Sequence, residues 1–143
     1  MMEEMQRIVE LIPRLRRYAR ALTGDAVAAD RLVQATLERA REELHLLPPG
    51  PDLRVWLYSL MHHVPAADTR PGQAPQGDLE QALAQLPHDQ RAVLLLVCTE
   101  ELTYEEVAQV LGIPEGSVMS RLSSAREKLR ALLGSTVRLK AVK

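Results

Sequence analysis

Apolar residues recur through most of the chain at spacings of three and four, the period of a helix that buries one face. The first such run extends from Glu3 to Leu22, and a second extends from Ala26 to Leu46. Pro13 lies within the first run, and proline is accommodated best in the first turn of a helix. We therefore predict a short frayed turn before Pro13, a helix from there to Leu22, and a second helix over residues 26–46.

Proline and glycine interrupt this periodicity at two points. Residues 47–51 read LPPGP and cannot continue a helix. Asp52 then provides an N-cap for a third helix, from Leu53 to His63. Residues 65–77, PAADTRPGQAPQG, hold three prolines, two glycines and no large apolar residue, which is the composition of a flexible linker.

This pattern predicts an all-α fold of two small helical domains joined by that flexible linker. The domains cover residues 1–64 and 78–143. A helix resumes at Asp78, and the almost wholly apolar run Ala92–Cys98 lies in the next predicted helix. We expect that run to be buried, with Cys98 as a small core residue. We expect the basic tail from Gly134 to Lys143 to fray.

The segment 102–133 has the pattern of two helices joined by a tight turn. Thr103 and Glu106 have the spacing of a capping box, and Gly112 is suited to end the first helix in a left-handed conformation. The second helix, from about Glu115 or Ser117 to Leu133, has two faces. Its apolar face carries Val118, Leu122, Ala125, Leu129 and Leu132, and its polar face carries Ser120, Arg121, Ser124 and Lys128. This pattern indicates a helix-turn-helix, or alternatively an ordinary helix pair with a solvated outer face.

Composition limits the type of core, the location of any surface for nucleic acid and the association with membranes. Aromatic residues make up 3% of the 143 residues, so the core must be aliphatic, as in packed helices. The formal net charge of −1 means that any surface for nucleic acid must be local. No run approaches the ~20 apolar residues of a membrane span, and the acidic N-terminus lacks a secretory hydrophobic region. We therefore expect a cytoplasmic protein with no membrane association.

The residues suggest no catalytic, metal or cofactor site. His62 and His63 are adjacent, and the spacing of the other histidines is not that of metal ligands. The acidic pairs Glu100-Glu101 and Glu105-Glu106 are interpreted as acids at helix ends, with no buried pocket between them.

Residues 100–129, EELTYEEVAQVLGIPEGSVMSRLSSAREKL, closely resemble the fourth conserved region of extracytoplasmic-function (ECF) RNA polymerase sigma factors. Residues 16–40 and 56–60 resemble parts of the second conserved region of that family, and residues 86–96 resemble the lead into region four. Within that family, the residues of the region-two match are most similar to those of sigma factors of the general-stress-response type. They are also similar to the sigma-like domain of the response regulator that is the partner of those sigma factors.

The resemblance implies a protein that lends promoter recognition to core RNA polymerase and catalyses nothing itself, so we predict that it is not an enzyme. In region four, the second helix would enter the major groove of the upstream (−35) promoter element. The implied DNA-facing residues are Met119, Ser120, Arg121, Ser123, Ser124 and Arg126. Arginine and serine are suitable chemically, because arginine can contact guanine through two hydrogen bonds and serine can bond a base or a phosphate. The family often has arginine at the position of Ser124, which predicts weaker binding here.

Region two of the family docks on the clamp of the polymerase and opens the downstream (−10) element. The implied docking residues are Asp30, Leu32, Val33, Gln34 and Leu37, and Arg31 stands where the family often has an acid. In the family a long basic helix follows W-L-x-x-L, whereas this chain has MHHVPAADTRP over Met61–Pro71. That stretch indicates either that melting is done elsewhere or that promoter melting is impaired or lost.

The implied partners are core RNA polymerase, promoter DNA and an anti-sigma factor. The chain would be a monomer when free, or a heterodimer with the anti-sigma factor. A second hypothesis is a sigma-factor mimic that sequesters the anti-sigma factor without opening promoters. A third hypothesis is a plain helix-turn-helix regulator, but it leaves the resemblance of the N-terminal half to region two unexplained.

Overall fold

The computed structural model describes residues 2–47, 52–64 and 78–141. It contains α1 (Met2–Thr23), α2 (Ala26–Glu43), a 3-10 turn (Leu44–Leu46), α3 (Leu53–His63), α4 (Asp78–Ala84), α5 (His88–Cys98), α6 (Tyr104–Leu111) and α7 (Glu115–Ala141). These ranges contain no strand, so the predicted all-α class is confirmed. The predicted linker, residues 65–77, lies outside the described residues, and so does most of the stretch discussed for promoter melting.

The first helix is continuous, and the predicted break at Pro13 is wrong. Pro13 lies inside α1 and faces outward. Proline removes one backbone hydrogen bond from a helix, but the turns on both sides of it bury residues in the same core. Ile8 precedes the proline and Leu15 follows it, and both are buried. Burial on both sides holds the helix together across the missing hydrogen bond.

Three other predictions also need correction. The second helix ends at Glu43, and residues 44–46 form the 3-10 turn. Cys98 is exposed, because it is the last residue of α5 and follows the buried run. The backbone of the tail is helical as far as Ala141, where fraying was expected.

Side-chain caps define the helix starts in the N-terminal half. The carboxylate of Asp25 accepts a hydrogen bond from the Ala28 N–H at 2.9 Å and begins α2. Asp52 accepts from the Arg54 N–H at 2.9 Å and begins α3, as predicted. Gly24, with φ of 74°, allows the chain to reverse between α1 and α2.

The two predicted domains pack against each other. α3 contacts α6, and α1 contacts α5. Buried residues from both halves form one continuous core, which includes Leu57 of α3 and Leu96 of α5. Their division into separate domains stays a prediction.

Polar side chains also connect the halves. Glu100, just after α5, is 2% exposed. Its carboxylate accepts a hydrogen bond from the hydroxyl of Tyr58, and its backbone oxygen accepts one from the Arg54 guanidinium at 3.2 Å. Burial, followed by the hydrogen bond to Glu100, raises the pKa of Tyr58, so the phenol stays protonated and donates. Glu100, interpreted from the sequence as an acid at a helix end, therefore lies just after α5 and is also buried against Tyr58.

A second connection is made by Arg91 of α5. One terminal nitrogen donates to the carbonyl of Leu22 at 2.7 Å, and the other donates to the carbonyl of Ala84 at 2.9 Å. Both carbonyls lie in the last turn of a helix, where backbone acceptors lack partners within the helix. The guanidinium therefore attaches the ends of α1 and α4 to α5.

His62, in the last turn of α3, makes the free energy of unfolding sensitive to acid. His62 Nε2 and the Tyr18 hydroxyl are hydrogen-bonded at 2.7 Å, and the ring of His88 lies 6.4 Å away. Burial, followed by the charges of His88 and His63, lowers the pKa of His62 to about 4. The unfolded value is near 6.5, so below that pH the unfolded chain binds the proton more readily than the folded chain.

We expect the free energy of unfolding to fall by about 2 kcal/mol between about pH 6.5 and pH 5 through this residue. Urea unfolding at each pH would measure the decline. His62→Gln, which does not titrate and keeps a polar group near Tyr18, should decline less steeply, and exposed His45→Gln should behave as the wild type does. Equal slopes in all three proteins would contradict this assignment.

No helix in the described part of the chain is long and apolar enough to cross a membrane.

Candidate nucleic-acid interface

The turn before α7 is determined by local chemistry. Thr103 Oγ1 accepts from the Glu106 N–H at 3.1 Å, and the Glu106 carboxylate accepts from the Thr103 N–H at 2.9 Å, so the predicted capping box begins α6. Gly112 ends that helix with φ of 68° and ψ of 37°, and its N–H donates to the carbonyl of Ala108 at 2.8 Å. A side chain at this left-handed position would be strained. The helix-turn-helix geometry predicted for residues 102–133 is confirmed.

One side of α7 anchors it to the rest of the protein. Val118, Leu122 and Ala125 are each at most 2% exposed. Their spacing of four and three puts them on one stripe of the helix, which packs against α5 and α6. Because this stripe is buried, the opposite side of α7 faces outward.

The predicted DNA-facing residues lie mainly on the outward side of α7. Five of the six are exposed: Met119, Ser120, Ser123, Ser124 and Arg126. Met119 is 51% exposed, which leaves it available for contact with a partner. The sixth residue, Arg121, is half-buried beside α5.

An open cleft of about 480 Å³ lies where α6 meets α7. Its lining consists of Tyr104, Met119, Leu122, Ser123, Arg126, Glu127 and Arg130. Arg126 and Arg130 are one helical turn apart, so two guanidinium groups face the same opening. An aromatic ring, a thioether and two cations can together contact a sugar–phosphate backbone and the apolar edges of bases.

Arg121 makes a different contact. Its Nε lies 3.6 Å from Asp89 Oδ2, at the start of α5. The Asp89 carboxylate also accepts a hydrogen bond from the Gln90 N–H at 3.0 Å. The arginine nearest the middle of the predicted recognition sequence is thus paired with an acid from another helix.

Some of the predicted polymerase-binding residues of α2 lie on the protein surface, and others lie at or in the hydrophobic core of the protein. Asp30 and Gln34 are exposed one turn apart, and Asp30 forms an ion pair with Arg16 at 3.8 Å. Leu32 and Leu37 are partly buried. Val33 is 3% exposed, so its side chain supports the helix from inside and offers no surface for docking in this arrangement.

Sequence reasoning missed several of these residues. Arg130 had a readable signal, because it follows Arg126 by one helical turn. Tyr104 and Asp89 had none, since each meets α7 only through the folding of another helix. In the described part of the chain, no three His, Cys, Asp or Glu side chains are grouped as metal ligands would be.

Both halves match known protein families. Residues 8–62 match the family described as the Sigma2 domain of PhyR, and residues 76–129 match Sigma-70, region 4. The ECF RNA polymerase sigma factor EcfG of Rhodopseudomonas palustris strain TIE-1 is 35% identical over 149 aligned positions, which cover 88% of this chain and 82% of that protein. The Phyllosphere-induced regulator PhyR of Methylorubrum extorquens is 31% identical, and this chain spans about half of its length, 52%.

A solved structure shares the arrangement of most of the chain. The sigma factor RpoE of Bartonella quintana, solved in complex with the anti-sigma factor NepR, superposes with a TM-score of 0.80 at 25% identity. The match covers 94% of this chain and 98% of that one. The relative with 35% identity and the superposition along nearly the whole chain agree on one family. The chain therefore belongs to the extracytoplasmic-function RNA polymerase sigma factors, and its function is that of a sigma factor in transcription initiation.

Proposed function

We propose that α7 reads the −35 promoter element for core RNA polymerase by lying in the major groove. The observation that carries this proposal is the two-sided character of α7. Val118, Leu122 and Ala125 anchor one side, and five of the six expected DNA-facing residues are exposed. The half-buried Arg121 supplies a guanine-reading side chain beside them. Arg126 and Arg130 would contact phosphates from the cleft.

The outward face of α2 is proposed to dock on the polymerase. Asp30, Gln34 and Leu37 recur at spacings of four and three and so share one face of the helix. The buried Val33 would hold that face in position from below. The protein would act in the cytoplasm, where polymerase and promoter are, and it would catalyse no reaction itself.

An anti-sigma factor is the proposed negative regulator. The RpoE structure that superposes over nearly the whole chain contains NepR, an anti-sigma factor. A similar arrangement of the two halves suits this chain for a partner of the NepR type.

A sigma mimic is the second candidate, because residues 8–62 match the Sigma2 domain of PhyR. Transcription in a purified system separates the two functions. We expect core polymerase supplied with this protein to give transcripts from promoters of the general-stress-response type, and a NepR-type protein to suppress them. Tight binding to the NepR-type protein without any transcript would favour the mimic and overturn the proposed function.

Arg121→Ala is expected to weaken binding to a duplex carrying the −35 element by about 5- to 150-fold at fixed salt, the value of one bidentate base contact. The helix should stay folded, because Arg121 is outside the buried stripe. Fluorescence anisotropy would measure the affinity and circular dichroism the fold. Arg41→Ala, the same change at an exposed arginine of α2, is the control. Equal affinities of the two variants would contradict the proposed recognition face.

A further inference from the structure

The pairing of Arg121 with Asp89 raises the question of what an acid does beside a DNA-reading cation. The side chain of Asp89 is 52% exposed and that of Arg121 is 34% exposed, so neither side chain is needed to fill the core. A half-exposed ion pair of this kind adds little to stability. The stability of this ion pair therefore gives no reason for an acid to lie beside Arg121.

Asp89 is held firmly by its own helix. It lies in the first turn of α5, where a carboxylate interacts favourably with the helix dipole. Its Oδ1 accepts the Gln90 N–H at 3.0 Å. Within the next two turns Val93 and Leu96 are fully buried, and α5 packs against α7. The backbone of Asp89 therefore has a fixed position relative to the recognition helix, and the contacts with the Gln90 N–H and Arg121 restrain the carboxylate.

The contact uses a particular atom of the arginine. Asp89 Oδ2 is closest to Nε, at 3.6 Å, which leaves the two terminal nitrogens of the planar guanidinium available. Two parallel N–H groups are what a bidentate contact to guanine O6 and N7 requires. A free arginine side chain samples many rotamers, and part of that rotamer entropy is lost on binding. Orienting the side chain beforehand reduces that loss.

We propose that Asp89 is a positioning residue that orients Arg121 for guanine readout and so determines specificity at one base pair of the promoter element. This proposal rests on the proposed function of α7. The negative charge also repels phosphates, so Asp89 reduces binding to all DNA while favouring the correct sequence. The two effects have opposite signs on affinity and can be separated experimentally.

The test compares the intact 143-residue chain and its variants on a panel of duplexes in which each base pair of the −35 element is changed in turn. Asp89→Ala should lower the preference for the correct base at one position about tenfold. It should also tighten binding to unrelated DNA. Asp89→Glu, which restores a carboxylate, should recover part of the preference. Glu105→Gln removes one exposed negative charge from α6 and should leave the preference at every position unchanged.

The possible outcomes are distinct. A wild-type protein that discriminates between duplexes, together with an Asp89→Ala variant that binds all of them more tightly but discriminates equally well, would overturn the positioning role alone. An equal loss of preference in Glu105→Gln would also overturn it, because charge alone would then be the cause. A wild-type protein with no preference at any position would overturn both this role and the proposed function.

Discussion

Glu100→Ala is expected to lower the free energy of unfolding by about 3 kcal/mol. The carboxylate is buried, and it accepts hydrogen bonds from the hydroxyls of Tyr58 and Thr99. Its removal leaves the Tyr58 hydroxyl without that acceptor in a place that water does not reach, and it opens a cavity between the halves. Urea denaturation followed by circular dichroism would measure the loss.

Tyr58→Phe tests the same contact from the other side. It removes one hydroxyl with almost no change in volume and should cost about 2 kcal/mol, because the buried carboxylate loses a donor. Glu105→Ala changes an exposed acid on α6 and serves as the control, with an expected change of at most ~0.5 kcal/mol. If Glu100→Ala and Glu105→Ala were equally stable, the hydrogen bond between the halves would contribute nothing.

The second large effect concerns the two sides of α7. Leu122→Ala should lower the free energy of unfolding by about 3 kcal/mol, because Leu122 is 2% exposed and its loss leaves a cavity. Met119→Ala, one turn away on the exposed side, should change stability by at most ~0.5 kcal/mol. Thermal and urea unfolding of both variants would measure the difference. A destabilisation by Met119→Ala as large as that by Leu122→Ala would mean that the outward side of α7 is covered in solution.

These two sides bear directly on function. A sigma factor must present a reading helix without unfolding it, so the residues that hold α7 and those that contact DNA must be different. Val118, Leu122 and Ala125 do the first. The exposed residues from Met119 to Arg126 are proposed to do the second. Variants of the exposed set should therefore change DNA binding while leaving the fold intact.

The parts of the fold that depend on neighbouring residues were predictable. The capping box of Thr103 and Glu106, the left-handed Gly112 and the cap at Asp52 all follow from side chains within three residues of the backbone groups they affect. The period of three and four predicted the exposed Ser120, Ser124 and Lys128 of α7, whereas Arg121, on the same predicted face, is half-buried. The same local reasoning supported the resemblance to region four that the comparisons then confirmed.

Two of the errors, at Pro13 and Cys98, share one cause. Local propensity predicted a break at Pro13, but burial of Ile8 and Leu15 on both sides keeps α1 continuous. An apolar run predicted a buried Cys98, but the helix ends there and the residue turns outward. In each case a contact with another helix, or its absence, decided the outcome.

The sequence by itself determined the helical class, the helix-turn-helix and the family, because short-range periodicity, caps and motif residues encode them. Only the tertiary structure decided that Glu100 is buried against Tyr58, 42 residues away, and that Asp89 lies beside Arg121. The tertiary structure also decided that Val33 of α2 is buried in the hydrophobic core. Such contacts depend on how helices pack in three dimensions, and the spacing of residues along one chain does not specify which distant side chains will meet.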